Sequence, residues 1–402
     1  MIFFVNLVTL SGHKESEFVK SDNYDTLLDL LDAREIIPTS IVPIPNFLSF
    51  IIPKGTSKIT IGDIIELIDN LHLVIKSGLP LYQGLRDLAS DTDNKQFRRM
   101  LLQIAFDVNR GQSLSQAFEF YKDVVGVMIL NLIKIGEETG QLEATLQRGS
   151  EFLKKTTALK KKAKSALIYP SFAFLAIIGA MLVWMIYVLP QMTELFQQMN
   201  LKLPPLTLFV IAMSNFFSQY IGSMILTFIA LIISYKIAHK KYQRVRYYTD
   251  KVMLKIPVIS QIISSFNVAF ITEYLRLAIV SGVPIFSALD TLKKNLGNEL
   301  FKEALEEATQ SVMKGSQLSQ AFKKTDMFTP FMLRMMSVGE SSGTLETQLE
   351  IISKYYYDRV DYYADNIGKV VEPVILTIAG GFMALVITAL MGPMYDLIAN
   401  VQ

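Results

Sequence analysis

The chain has 402 residues, no Cys, 51% hydrophobic and 19% charged residues and a mean hydropathy of +0.33, too apolar for an ordinary soluble enzyme of this size. The absence of Cys excludes disulfide frameworks, thiolate metal sites and a Cys nucleophile. With 39 Lys and Arg against 37 Asp and Glu, the net charge of +2 carries no footprint for nucleic acid, so no direct nucleic-acid partner is expected.

Met1 to Leu10 is apolar but lacks a basic leader and runs straight into Ser11-Gly12-His13-Lys14, so it reads as retained in the cytoplasm rather than cleaved as a signal peptide. Phe3–Thr9 and Glu17–Val19 on either side of Ser11-Gly12 predict a hairpin, followed by a helix near residues 24–34 and an extended, proline-broken stretch over 36–44. Residues 1–55 are thus a small α+β extension, linked through residues 53–58 to a helical region over 56–164. There Ile64, Ile65, Ile68, Leu71, Val74 and Ile75 recur at helical spacing. Ser77-Gly78-Leu79-Pro80 then predicts a helix-to-helix corner, with Gly at a left-handed C-terminal position and Pro in the next first turn. After Gly111, Ser113 and Gln116 form a capping box for a short helix bearing Leu114. Gly136 and Gly140 bracket a turn, after which a long helix from about Leu142 runs through Lys154, Lys155, Lys160, Lys161, Lys162 and Lys164 towards a membrane.

Three uncharged stretches are long enough to span a bilayer core, which needs about 20 apolar residues as helix. They are the 29 residues between Lys164 and Glu194, the 33 from Leu203 to Tyr235, and the 23 from Pro373 to Tyr395. The second is soft at Ser214, Asn215, Ser218 and Gln219, and is expected to tilt or to start outside the membrane. The uncharged stretch Ile256–Thr272 is interrupted by Ser260, Gln261, Ser264, Ser265 and Asn267 and reads as a buried soluble helix. Lys and Arg crowd before the first span and after the second, whereas the segment between those spans carries only Lys202. The N-terminal region and residues 236–369 are therefore placed inside, with the C-terminus outside. The resulting plan has spans over 165–190, 207–235 and 370–395, an outer loop over 191–206, a second cytoplasmic bundle over 236–369 and an outer tail over 396–402.

The chain also repeats itself. Leu71–Pro80 matches Leu275–Pro284, aligning Ser77, Gly78 and Pro80 with Ser281, Gly282 and Pro284. Gly111 and Leu114 align with Gly315 and Leu318, although Gln317 replaces Ser113 and requires a different cap. Gly136, Glu137 and Gly140 align with Gly339, Glu340 and Gly343, and Pro170 and Pro190 with Pro373 and Pro393. Each unit is a helical bundle of six helices leading into one span, and the middle span is a connector. The fold class is all-α integral membrane protein with two repeated bundles.

Catalytic signatures are missing: there is no phosphate loop, no His-Glu-x-x-His, no Gly-x-Ser-x-Gly and no dinucleotide Gly pattern. The three His, at 13, 72 and 239, are scattered, so neither a metal, a cofactor nor a catalytic triad is expected. Glu137 and Glu340 have three readings: a divalent-cation ligand, a partner contact, or an acceptor of backbone N–H bonds, the last ranking first. Glu372, just before Pro373, reads as an interfacial cap. Tyr355, Tyr356, Tyr357, Tyr362 and Tyr363 read as interfacial anchors and bundle packing. Gly380 and Ala384, like Ala176 and Ala180, have the spacing of close span-to-span packing, within or between subunits. The lysines before the first span read as topology determinants with anionic lipid heads as a secondary role.

Two copies of Ser-Gly-x-Pro, Gly-x-x-Leu-Ser-x-Ala and Gly-Glu-x-x-Gly-x-Leu, each followed by a Pro-marked span, with Glu372-Pro373 at the third span, resemble the GspF/PilC family of type II secretion and type IV pilus assembly platforms. The resemblance covers about residues 60–400, and the N-terminal extension is similar too. It implies a multi-pass protein of the bacterial inner membrane without enzymatic activity, on which a cytoplasmic hexameric assembly ATPase acts so that pilins or pseudopilins enter a growing filament. It also implies homo-oligomers and contacts with other inner-membrane assembly proteins and with the lipid bilayer. The rival classes are a transporter or channel subunit, whose spans would need polar lining, and a membrane peptidase, which would need paired carboxylates. None of the three spans carries a central ionisable residue, against a proton relay.

Overall fold

A computed structural model of the chain describes residues 2–8, 14–20, 24, 37–44, 58–166, 168–198 and 203–400. It divides into two compact units, residues 1–155 with 277–284 and residues 156–276 with 285–402.

In the first unit, β1 (Ile2–Val8) pairs antiparallel with both β2 (Lys14–Lys20) and β3 (Ile37–Ile44), giving the order β2-β1-β3. Phe4 faces Phe18 on one side and Val42 on the other. The expected hairpin is present, and the stretch read only as extended is its third strand. Pro38 and Pro43 sit in β3, an edge strand, where a missing N–H is tolerated. The register slips between Asn6 and Leu7, passing from Ser40 to Pro38, a local bulge beside a residue that cannot donate. The helix expected near 24–34 lies outside the described residues apart from Tyr24, as does Lys202.

The helices of the first repeat are α1 (Ile61–Lys76), α2 (Leu81–Asp91), α3 (Lys95–Asn109), α4 (Leu114–Glu119), the single turn α5 (Lys122–Val125), α6 (Val127–Thr139) and α7 (Leu142–Ala166). Several of these starts are capped by local side chains. Thr60 and Asp63 form a capping box on α1, and the Asn94 side chain accepts the N–H groups of Gln96 and Phe97 on α3. Ile64, Ile68, Leu71 and Val74 of the stripe expected from the sequence are buried together with Leu67, Phe97, Leu101, Phe118 and Ile133 in this unit's core, whereas Ile65 and Ile75 are half-buried.

In the second unit the chain continues as α8 (Ile168–Val183), a π-helical turn (Trp184–Val188) and α9 (Leu189–Gln198), then α10 (Pro205–Lys241) and α11 (Gln243–Met253). The helix after Pro190 continues to Gln198, so the segment expected as loop from 191 begins as helix. Proline lacks the N–H for its own position, and the π turn before it re-registers the hydrogen bonds without stopping the helix. The soft stretch around Ser214 belongs to one continuous 37-residue helix, α10.

The second repeat holds α12 (Ile259–Val280), α13 (Ile285–Asn295), α14 (Glu299–Met313), α15 (Leu318–Lys323), α16 (Pro330–Ser342) and α17 (Leu345–Asn400). α13 to α16 have 11, 15, 6 and 13 residues, the same lengths as α2, α3, α4 and α6. α17 is a single helix of 56 residues. Among the described residues four helical stretches are long and apolar enough to cross a membrane, Leu142–Phe196, Pro205–Lys241, Ile259–Val280 and Leu345–Gly392. The most apolar window of the third is 67% buried within the protein, against 17% or less in the other three.

Candidate functional site

The repeated motifs occupy repeated geometry. At the first corner Gly78 has φ +71°, its N–H donates to Ile75 and that of Leu79 to Val74. These two bonds form the Schellman arrangement, which favours glycine. Gly282, at φ +74°, repeats it with bonds from Gly282 to Ile279 and from Val283 to Ala278. Pro80 and Pro284 stand just before α2 and α13, one position earlier than expected. Pro80 is the N-cap, with ψ 130°, and its carbonyl accepts the N–H groups of Gln83 and Gly84. Gly111 and Gly315 take φ +89° and +88° after α3 and α14.

Glu137 accepts the N–H groups of Leu114 and Ser115, the latter at 2.9 Å, and so closes the start of α4 from a distant helix. Ser113 adds the expected capping box with Gln116. Glu340 does the same for Leu318 and Ser319 at the start of α15, where Gln317 makes no side-chain cap bond. The two carboxylate oxygens of each Glu are thereby engaged with backbone donors. Among the described residues no His, Asp and Glu group is arranged to hold a metal ion.

Gly136 and Gly339 lie inside α6 and α16 rather than in a turn; only Gly140 and Gly343, at φ +68° and +71°, end those helices. The reason for Gly136 and Gly339 is space. A Cβ there would stand 2.8 Å from the Cα of Leu142 or Leu345, the first residue of the following helix, so backbone approaches backbone directly.

A second pair of matching contacts was not anticipated. In the first unit the Ser150 hydroxyl donates to Asp69 and Lys154 pairs with Asp69 at 2.6 Å, tying α7 to α1. In the second unit Ser353 donates to Glu273 at 2.8 Å, tying α17 to α12, and Arg276, one turn along α12, pairs with Glu273 at 2.8 Å. Asp69 and Glu273 are 204 apart, and Ser150 and Ser353 are 203 apart, as in the repeat. The signal was available as acid and Ser at corresponding positions, but nothing in one sequence pairs them across 81 residues. Glu273 is only 3% exposed, and a buried charge requires such partners.

The long helices also meet within the second unit. Lys162 pairs with Asp361 at 3.1 Å and Asp365 at 3.4 Å. The hydrogen bond to Asp361 raises its pKa, which burial would lower. Further along, Met185, Leu189, Val210 and Ala389 form a buried cluster with Phe217, Phe382 and Leu385 packed against it. Two hydroxyls of α10 donate into this cluster: Thr207 to the Ala389 carbonyl at 2.6 Å and Ser214 to the Met185 carbonyl. Both carbonyls are ones that proline leaves free. Ala389 lies four residues before Pro393 in an α-helix, where that residue's N–H would have bonded. Met185 lies five before Pro190 and inside the π turn, where Leu189 already donates to Trp184, so the next N–H, that of residue 190, would have been its donor. The same proline position thus frees a different carbonyl in each repeat, and the connector helix satisfies both.

Other singled-out residues stand apart from these contacts. Pro170 is buried, whereas Glu372, Pro373, Gly380 and Ala384 are exposed. Nothing approaches a Cβ at Gly380 within 4 Å. Among the described residues no close backbone approach forms at Gly380, and Val210, Met185 and Ala389 form the buried span contacts instead. Tyr356 is buried with its hydroxyl on Thr329, while Arg359 lies 5.6 Å from the Tyr355 ring and 5.4 Å from the Tyr363 ring.

The sequence model of the family described as type II secretion system (T2SS), protein F, matches residues 67–190 and 271–393, more than half of the chain. The two matches end at Pro190 and Pro393. The chain is 28% identical over 350 residues to the type IV pilus assembly protein PilC of Pseudomonas aeruginosa, covering 86% of this chain and 94% of that protein. It is 23% identical over 393 residues to the type II secretion system protein F of Vibrio cholerae, covering 96% of each. It is also 28% identical over 333 residues to PilC of Thermus thermophilus, covering 83% of this chain and 82% of that one. Two family matches in tandem, in register with two sets of corner, cap and acid–Ser contacts, lead to one conclusion: the chain belongs to the type II secretion system protein F family.

Proposed function

We propose that the chain is a non-enzymatic platform of the bacterial inner membrane that couples a cytoplasmic hexameric assembly ATPase to the insertion of pilins or pseudopilins into a growing filament. Its relatives are named for type IV pilus assembly and for type II secretion, which supports this class of assembly. The observation that carries the coupling is α17. This one helix is held at Ser353 by Glu273 in the bundle, and 36 residues later its Ala389 carbonyl is held by Thr207. A helix rises about 1.5 Å per residue, so displacement of the bundle is delivered roughly 54 Å away without passing through a loop.

On this reading the chain crosses the membrane three times, through the segments around 165–190, 207–235 and 370–395. Ile259–Val280 stays in the second bundle because its apolar face is already covered by protein. The N-terminal extension and both bundles, 56–164 and 236–369, are cytoplasmic and the C-terminus is periplasmic, in keeping with the basic flanks. The bundles dock the ATPase, the spans contact the apolar helices of pilins and neighbouring assembly proteins, and the platform works as a homo-oligomer. The test is binding of the full-length protein in detergent to the assembly ATPase of the same organism, with ATP hydrolysis followed. Binding with altered turnover supports the proposal; no binding to an active hexamer overturns it.

A further inference from the structure

We infer that the inner end of α10 carries a binding site for the phosphate group of an anionic lipid, a site that rests on reading α10 as a span. Tyr235, Lys236, His239 and Lys240, which share one face of α10, line a pocket of about 430 Å³ with Arg246 of α11. Such a volume suits a headgroup. Tyr235 holds the two helices together by donating to Thr249 at 3.1 Å, and its ring stands 5.6 Å from that of His239. Arg246 pairs with Glu299 at 3.3 Å, but Lys236 and Lys240 have no ion-pair partner among the described residues. Two adjacent ammonium groups without carboxylates are positioned to share one phosphate.

The depth of the pocket selects a lipid over a soluble phosphate. Tyr235 is the last of 33 uncharged residues, so the pocket begins where the apolar stretch ends, at headgroup level. Leu231, Ile233 and Ile237 are exposed next to it and offer an apolar surface for acyl chains. This observation is separate from the lysines before the first span, since it concerns an open groove between two helices.

The test titrates the full-length protein in neutral detergent with fluorescent phosphatidylglycerol, with phosphatidylcholine of the same chains, and with inorganic phosphate as competitor. A cation near an anionic lipid contributes about fivefold in affinity. K240Q is therefore expected to weaken phosphatidylglycerol binding about fivefold and K236Q/K240Q about 25-fold, with phosphatidylcholine weak throughout. K323Q/K324Q, the same charge change at two exposed positions at the end of α15, is expected to leave binding unchanged. Equal losses in K323Q/K324Q, or none in K240Q with native helical content, overturn the site. Displacement of the lipid by inorganic phosphate overturns the lipid as its occupant.

Discussion

Replacing Thr207 with Val removes the hydroxyl that meets the Ala389 carbonyl while nearly keeping the side chain's shape. The carbonyl is then buried without a donor, because the residue four positions on is Pro393. An unsatisfied buried polar group costs about 1–3 kcal/mol, and interhelical hydrogen bonds in membranes average about 0.6 and reach about 1.7 kcal/mol. A loss of about 1 kcal/mol is expected. The informative quantity is the coupling. P393A restores an N–H able to bond Ala389 along the helix, so T207V is expected to cost little in that background, giving a coupling energy of about 1 kcal/mol in the double-mutant cycle. Unfolding in mixed micelles with a denaturing detergent measures it. Trp184, the only Trp in the chain, opens the π turn and reports by fluorescence. An equal cost of T207V with and without Pro393 refutes the link between this hydroxyl and the proline.

Three further outcomes are expected. E340A should destabilise more than E137A by about 1 kcal/mol, the worth of the Ser113 cap that remains at α4 and has no counterpart at Gln317; chemical denaturation of the two variants decides. G136A should cost about 1–3 kcal/mol, since its Cβ meets the Cα of Leu142. G179A, with nothing within 4 Å, should stay within about 0.5 kcal/mol. Burial pushes the Glu299 carboxyl up, but Lys302, Gln243 and Arg246 outweigh it and hold the pKa below its usual 4.5. Its stabilising contribution is therefore present above pH 4.5 and is lost as pH falls through the lower folded value; E299Q should flatten the acid limb of a stability-against-pH curve.

Much of this was legible because the sequence repeats itself. The corner glycines, the capped short helices and the long approach to each span announce themselves in local spacing, and Glu137 and Glu340 lie one short turn from the glycines that end their helices. What escaped the sequence depends on distant partners. Asp69 and Ser150 look like ordinary surface residues until α1 and α7 are set side by side. Ser214 made α10 look soft, whereas it and Thr207 are donors to carbonyls freed on two other helices. Gly136 was read as turn punctuation because a glycine demanded by close packing and one demanded by positive φ carry the same letter.

On the proposed function, motion produced by the motor enters the bundles. Because the chain has no Cys, a single spin label at an exposed site such as Met313, paired with one on the ATPase, gives an unambiguous distance in a reconstituted complex. This distance distribution is expected to change between the nucleotide-free state and turnover. A distribution that stays fixed while an active hexamer hydrolyses ATP contradicts it.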